Sequence, residues 1–286
     1  MMNIGKTFKI FTLSLLVAVA VVPSASASPS QSATSVVEEA TSAATNYLKS
    51  YISNDIDGML QNSVEPIYPN DQERRAVYEE RVKTDVPVID FKIVESTQVS
   101  DSEIDISVEY TTVDTVLPPI PYDVKKIDGD WKVVLVPQEI NVNRDSADYG
   151  KVQPVDVENV SYISKSGEVV PFVTTLDYYT FYNWAGNTLI GKDTFNTHNN
   201  WVSIKGTQYD YTSSGPGSNL SVKYEIITEI GGSIQWYGQK TVQGNYNTSW
   251  YYEVINLANS SITNAKLRIS STNARQADGA GNVYEN

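Results

Sequence analysis

The chain has 286 residues, with 21 Lys+Arg against 34 Asp+Glu, a formal charge of −13, one His and no Cys; this length fits two domains or one large β domain. Without Cys there are no disulfides, thiolate metal sites or cysteine nucleophiles, and one His excludes any two-histidine zinc motif. The acidic balance argues against nucleic-acid binding, which needs a basic footprint.

Lys6 and Lys9 precede an apolar run of 13 residues, 10–22 (IFTLSLLVAVAVV), which Pro23 ends. Ala25-Ser26-Ala27 then puts small residues at the −3 and −1 positions of a cleavage site, so residues 1–27 read as a secretory signal. The run is too short to span a bilayer, and no second stretch of spanning length follows. The expectation is a secreted, extracellular chain with no membrane span after cleavage. Export without Cys favours a bacterial source.

The mature chain opens on a helical pattern. Val36, Val37, Ala40, Ala44, Tyr47, Leu48 and Tyr51 recur at three-to-four spacing. Residues 54–58 (NDIDG) interrupt it, and a short second helix carries Ile56, Met59 and Leu60. Asn70 followed by Glu73 predicts a capped third helix to about Lys83, its glutamates and arginines mostly facing solvent.

From Val86 the period changes to two. Ile89, Phe91 and Ile93 share one strand face, and Ile104, Ile106, Val108 and Tyr110 alternate with polar neighbours on the next strand. Pro118, Pro119 and Pro121 mark a bend or edge before Tyr122 and Val124, and Asp128-Gly129 makes a tight turn ahead of Trp131, Val133 and Leu135. Helix, short helix, helix and a four-strand meander, with NDIDGML at 54–60 and DGDWKVVL at 128–135, resemble the NTF2-like (cystatin-like α+β) superfamily over residues 34–140. That resemblance implies a cone of sheet and helices. Enzymatic members such as ketosteroid-isomerase-like proteins hold an acid/base pair inside the cone; no such pair maps onto a motif here, and the prolines depart from a smooth meander.

Composition shifts near residue 150. Residues 28–150 carry 10 Lys+Arg and 23 Asp+Glu, whereas 151–286 carry 9 and 11 with 12 of the 19 tyrosines and four of the five tryptophans. The polar stretch 141–150 reads as a linker. Residues 151–286 read as an all-β sandwich domain of about seven to nine strands, which resembles no particular family. Its candidate strands are 159–163, 169–174, 177–184, 201–204, 208–212, 220–230, 233–242, 249–255 and 265–271. The polar tail after Asn273 reads as loosely held.

Chemistry is sparse. His198 sits in a polar loop, residues 196–200 (NTHNN), and the chain contains neither G-x-S-x-G nor S-x-x-K. Asp105 and Glu109 lie on a wet strand face, Asp55 and Asp57 at a helix boundary where short acids cap backbone donors. The acidic turns lack the ligand spacing of a calcium loop. No catalytic residue, metal site or cofactor is expected. The aromatic strands are the sharper signal: Tyr178, Tyr182 and Trp184 share one parity, while Trp250 and Tyr252 face opposite to Tyr251. A sandwich buries one face per strand, so some rings must meet solvent. Tyr182, Trp184, Trp201, Trp236, Trp250 and Tyr252 are the candidate ligand-binding residues. The expected function is a secreted, non-catalytic protein that binds a cell-surface glycan or protein through its second half. The alternative is an enzyme acting on a small apolar substrate in the cone.

Overall fold

The computed structural model describes residues 33–155, 161–163, 174–212 and 220–285; the expected signal, residues 1–27, and most of the strand expected at 169–174 lie outside them. Three helices come first: α1 (Ala33–Ile52), α2 (Ile56–Asn62) and, after the two-residue β1 (Ser63–Val64), α3 (Asp71–Thr84). The apolar stripe of α1 is buried as its spacing predicts, with Ala40, Ala44, Tyr47, Leu48 and Tyr51 inside. Asp55 caps α2 by accepting from Gly58 N at 3.1 Å, and Asn70 caps α3 by accepting from Glu73 N at 2.9 Å. Two arginines of α3 depart from the solvent-facing expectation. Arg74 is buried and donates to Ser63 O at 2.9 Å, and Arg81 forms a two-pronged pair with the buried Glu65 at 2.6 and 2.7 Å. Both have buried acceptors to satisfy, which the helical period alone does not reveal.

The strands β2 (Val88–Ser100), β3 (Glu103–Thr112), β4 (Ile120–Ile127) and β5 (Asp130–Val134) form a sheet in the order β1-β5-β4-β3-β2, and α1 lies across it. Ile104, Ile106, Val108 and Tyr110 all point into the core. The β4–β5 turn has positive φ at both Asp128 (54°) and Gly129 (95°), the geometry a two-residue hairpin demands. Ile89 does not share the face of Phe91 and Ile93: a register shift between Val88 and Asp90 turns it outward, 58% exposed. One inserted residue reverses the alternation.

The remaining strands are β6 (Gln138–Asn141), β7 (Val152–Pro154), β8 (Ser161–Ile163), β9 (Thr174–Trp184), β10 (Leu189–Gly191), β11 (Phe195–Thr197), β12 (Trp201–Asp210), β13 (Ser221–Ile230), β14 (Ser233–Gln243), β15 (Tyr246–Asn256), β16 (Ile262–Ser270) and β17 (Ala277–Glu285). One sheet runs β7-β6-β14-β13-β16-β10-β8, with β11 also on β16; the other runs β15-β12-β17-β9. Tyr224 packs against Tyr179 and Tyr251 across the two, with ring centroids 5.4 and 5.7 Å apart.

Three stretches of this half differ from the expectation. The segments 201–204 and 208–212 join into one strand, β12, because Gly206 is no break: a Cβ there would lie 2.4 Å from Tyr179 OH. The tail after Asn273 is not loose, since β17 is an inner strand paired with both β12 and β9. Residues 141–150 connect the hairpin β6–β7, with Gly150 N donating to Asn141 O at 2.8 Å, and β6 runs parallel to β14.

One hydrophobic cluster extends from Ala40 of α1 to Val283 of β17. The β13–β14 turn reaches the helical half. Gly231 N donates to Tyr51 OH at 2.9 Å, Tyr122 OH donates to Gly231 O at 3.2 Å, and Val86 N donates to Glu229 O at 3.0 Å.

Candidate binding face

The outer side of the four-stranded sheet is built by strand alternation. On β12, Val202, Ile204 and Gln208 turn inward, which leaves Trp201, Lys205, Thr207 and Tyr209 outward; Ser203 shares their parity but is buried. Register then fixes their neighbours. Lys205 lies between Tyr252 of β15 and Asn282 of β17, and Asn282 lies opposite Tyr178 of β9. In the next row Thr207 faces Ala280, which faces Thr180. In the row beyond, Tyr209 faces Asp278, whose Oδ1 accepts from Asn183 N at 2.8 Å beside Tyr182.

Of the six candidate residues, this face gathers four. Tyr182 is 81% exposed, Trp250 62% and Tyr252 56%, and Trp201 is half-buried at the start of β12. Trp184 is buried instead. A register shift between Ala277 and Gly279, at Asn183 with φ 49°, moves Trp184 to the inner face, where it packs on Phe181 at 4.9 Å and donates to Asn187 O at 2.7 Å. Trp236 belongs to the other sheet and packs beside Ile190, Ile227 and Ile234. The sequence placed Tyr178 on the strand face of Tyr182 without making it a candidate, and it passed over Tyr209 and Tyr211, although the parity of Tyr209 with Trp201 carried that signal.

Charge on this face is held by its neighbours. The Lys205 ammonium lies 5.6 Å from the Trp250 ring centroid. Asp278 Oδ2 accepts from Tyr211 OH at 2.7 Å, and the hydrogen bond with Tyr209, followed by the one with Asp278, pushes the Tyr211 hydroxyl above its usual range. Beside the face, at the β9–β10 connection, Tyr182, Asn183, Gly186 and Asn187 line an open cleft of about 680 Å³.

Other clusters have structural partners. His198 Nδ1 lies 3.0 Å from Glu285 Oε2, with the imidazole 77% exposed. Burial raises the Glu285 carboxyl, but hydrogen bonds from His198 and Asn199 outweigh it and hold the group below its usual range. Glu103, Asp105 and Asp123 bring carboxylate oxygens within 4.8 Å of one another, a set that would suit a hard cation. Lys125 already bridges Glu103 at 2.9 Å and Asp123 at 3.2 Å. The space enclosed by α1 and the first sheet holds Tyr47, Tyr51, Tyr78, Tyr110 and Tyr122, all buried, and Gly231 closes over the Tyr110 and Tyr122 hydroxyls. Tyr51 OH donates to Asp85 at 2.9 Å there; burial pushes this carboxyl up to about 7, Glu229 adds to the rise, and Arg81, Tyr51 and Lys266 oppose it.

No family model matches the chain, and no curated protein matches it. Among solved structures it is similar to a ketosteroid isomerase-like protein from Erwinia carotovora atroseptica, at 20% identity and TM-score 0.26, covering 34% of this chain and 89% of that one. An NTF2-like protein of unknown function from Shewanella oneidensis gives 15% identity and TM-score 0.26 over 34% of this chain and 92% of that one. Carbohydrate-binding modules of the β-sandwich superfamily give 9% identity and TM-score 0.27 over 70% of this chain and 78% of theirs. Among the described residues no helix is long and apolar enough to cross a membrane.

Proposed function

We propose that this is an exported, non-catalytic protein that binds a cell-surface glycan through the outer face of the sheet β15-β12-β17-β9. The carrying observation is the exposure of Trp250, Tyr252 and Tyr182 on one side of that sheet, among hydroxyl and amide side chains. Rings of this kind supply rigid, amphipathic area at low entropic cost, and pyranose rings present a matching apolar face with hydroxyls at the edge. The overall charge of −13 disfavours an anionic polymer as the partner. The alternative, a substrate pocket in the helical half, would require displacing the five buried tyrosines and the turn that covers them.

The test is retention of the full exported chain on insoluble neutral polysaccharides, compared with Trp250→Ala. Trp250 is a surface residue, so near-UV dichroism should stay unchanged while affinity falls about tenfold. Equal retention of the two proteins, or retention of neither, removes the proposal.

A further inference from the structure

Where the β9–β10 connection meets the turn after β16, the open cleft of about 680 Å³ falls in the size range of small-molecule sites. Tyr182, Asn183, Trp184, Gly186, Asn187 and Ser271 line it, and none of its lining residues is charged. It adjoins β9, the edge strand opposite β15 and Trp250. Its walls are held by the protein's own bonds. Asn183 N donates to Asp278 Oδ1 at 2.8 Å, Ser271 N to Gly186 O at 3.1 Å, and the Trp184 indole to Asn187 O at 2.7 Å. A Cβ on Gly186, whose φ is 88°, would lie 2.6 Å from Ser271 O, so glycine is what lets the two segments approach this closely. Ser271 Oγ in turn accepts from Asn273 N at 3.2 Å and from Ala274 N at 3.1 Å. Walls fixed in this way are formed before a ligand arrives, which lowers the cost of binding.

These bonds employ backbone atoms of Asn183 and Asn187. Among the described residues neither side-chain amide has a partner in the protein, and the Tyr182 ring beside them is 81% exposed. Resting on the glycan-binding reading, we infer that this cleft is a subsite for one uncharged sugar ring, separate from the surface around Trp250. An amide offers two donors and an acceptor, and neighbouring sugar hydroxyls both give and take hydrogen bonds. A tyrosine ring covers the C–H face of a pyranose. One such ring and two amides around a single cleft suit one unit. A charged ligand meets no counter-charge in the lining, and Asp278, the carboxylate bonded to Asn183 N, is occupied by Tyr209 OH and Tyr211 OH as well. An anion or cation would therefore lose water here without gaining an ionic partner.

The experiment records saturation-transfer NMR from the full exported chain to the methyl β-glycosides of glucose, xylose, galactose and N-acetylglucosamine. Methyl glucuronoside is the charged comparison and N-acetylalanine amide the peptide one. Tyr182→Ala removes the ring and Asn187→Ala one amide. Asn183→Gly removes the other, and glycine accepts the φ of 49° at that position. Asn187 is tied into the loop through its backbone carbonyl, so Asn187→Ala keeps the test interpretable if another variant misfolds, with near-UV dichroism as the check. The inference expects at least one neutral glycoside to bind and each variant to weaken it at least about tenfold. A glycoside lost in Trp250→Ala but held at wild-type affinity by the three cleft variants would overturn the cleft and leave the glycan-binding face standing. Retention of the wild type on neutral polysaccharide with none of the four glycosides bound would do the same. Preference for the glucuronoside or for the peptide amide would also overturn it. No binding to any glycoside or polysaccharide removes both readings together.

Discussion

Asp85 shows how a single carboxyl can weigh on the whole molecule. It sits at the end of α3 with Tyr51 donating to one oxygen, while the other oxygen, Oδ1, is buried with no partner. Desolvation is the leading reason its pKa lies near 7, far above an ordinary aspartate. The folded protein therefore holds this proton more tightly than the unfolded chain does. The resulting stability is complete below about pH 4 and is lost as the pH rises through the folded value. Asp85→Asn should flatten that window. Unfolding free energies from urea titrations at pH 5 and pH 8 should differ by about 2 kcal/mol more in the wild type than in the variant, with the wild type less stable at pH 8. An identical pH difference in both proteins would refute this account.

At the scale of elements, β17 reverses the reading of its own composition. Its sequence, ADGAGNVYE, looks like a tail, yet it lies between β12 and β9 with Val283 fully buried. The glycines are there because aromatic rings lie on the strand. A Cβ on Gly279 would come within 2.2 Å of the Phe181 ring, and one on Gly281 within 2.4 Å of Tyr179 OH. Gly279→Ala should therefore destabilise by about 1 to 3 kcal/mol through overpacking, seen as a lower denaturation midpoint with unchanged slope. A neutral effect would mean that Phe181 swings away freely. Bulges do comparable work on β2 and β9, where one extra residue exposes Ile89 and buries Trp184.

On the scale of the whole molecule, the two chemically distinct halves are interlocked. The parallel pairing of β6 with β14 places residues 138–141 in the sandwich, and the Gly231 turn lies on the tyrosines of the helical half. Asn264 of β16 donates from Nδ2 to the Asp85 backbone carbonyl at 2.7 Å. A fragment of residues 151–286 leaves the β14 edge without β6 and strips the turn of its partners. Such a fragment is expected to show no cooperative thermal transition by circular dichroism, whereas residues 33–286 melt in one. A sharp, independent transition in the fragment would show that the sandwich folds by itself.

Much of the fold was legible because local physics dominates where the pattern is clean. The 3.6-residue stripe of α1, the Asn70 and Asp55 caps, the Asp128-Gly129 hairpin and the alternation of β3 all have short-range causes. The sequence by itself also determined that Trp250 and Tyr252 share a face opposite Tyr251, because a regular strand leaves no other choice. Tertiary structure alone decided which candidate rings meet on one surface. Bulges change parity without a sequence mark, as at Trp184, and sheet membership depends on pairings distant in the chain, as for Trp236. It likewise decided that Gly206, Gly279 and Gly281 are places of close approach rather than breaks, since the rings that demand them come from β9 and β15.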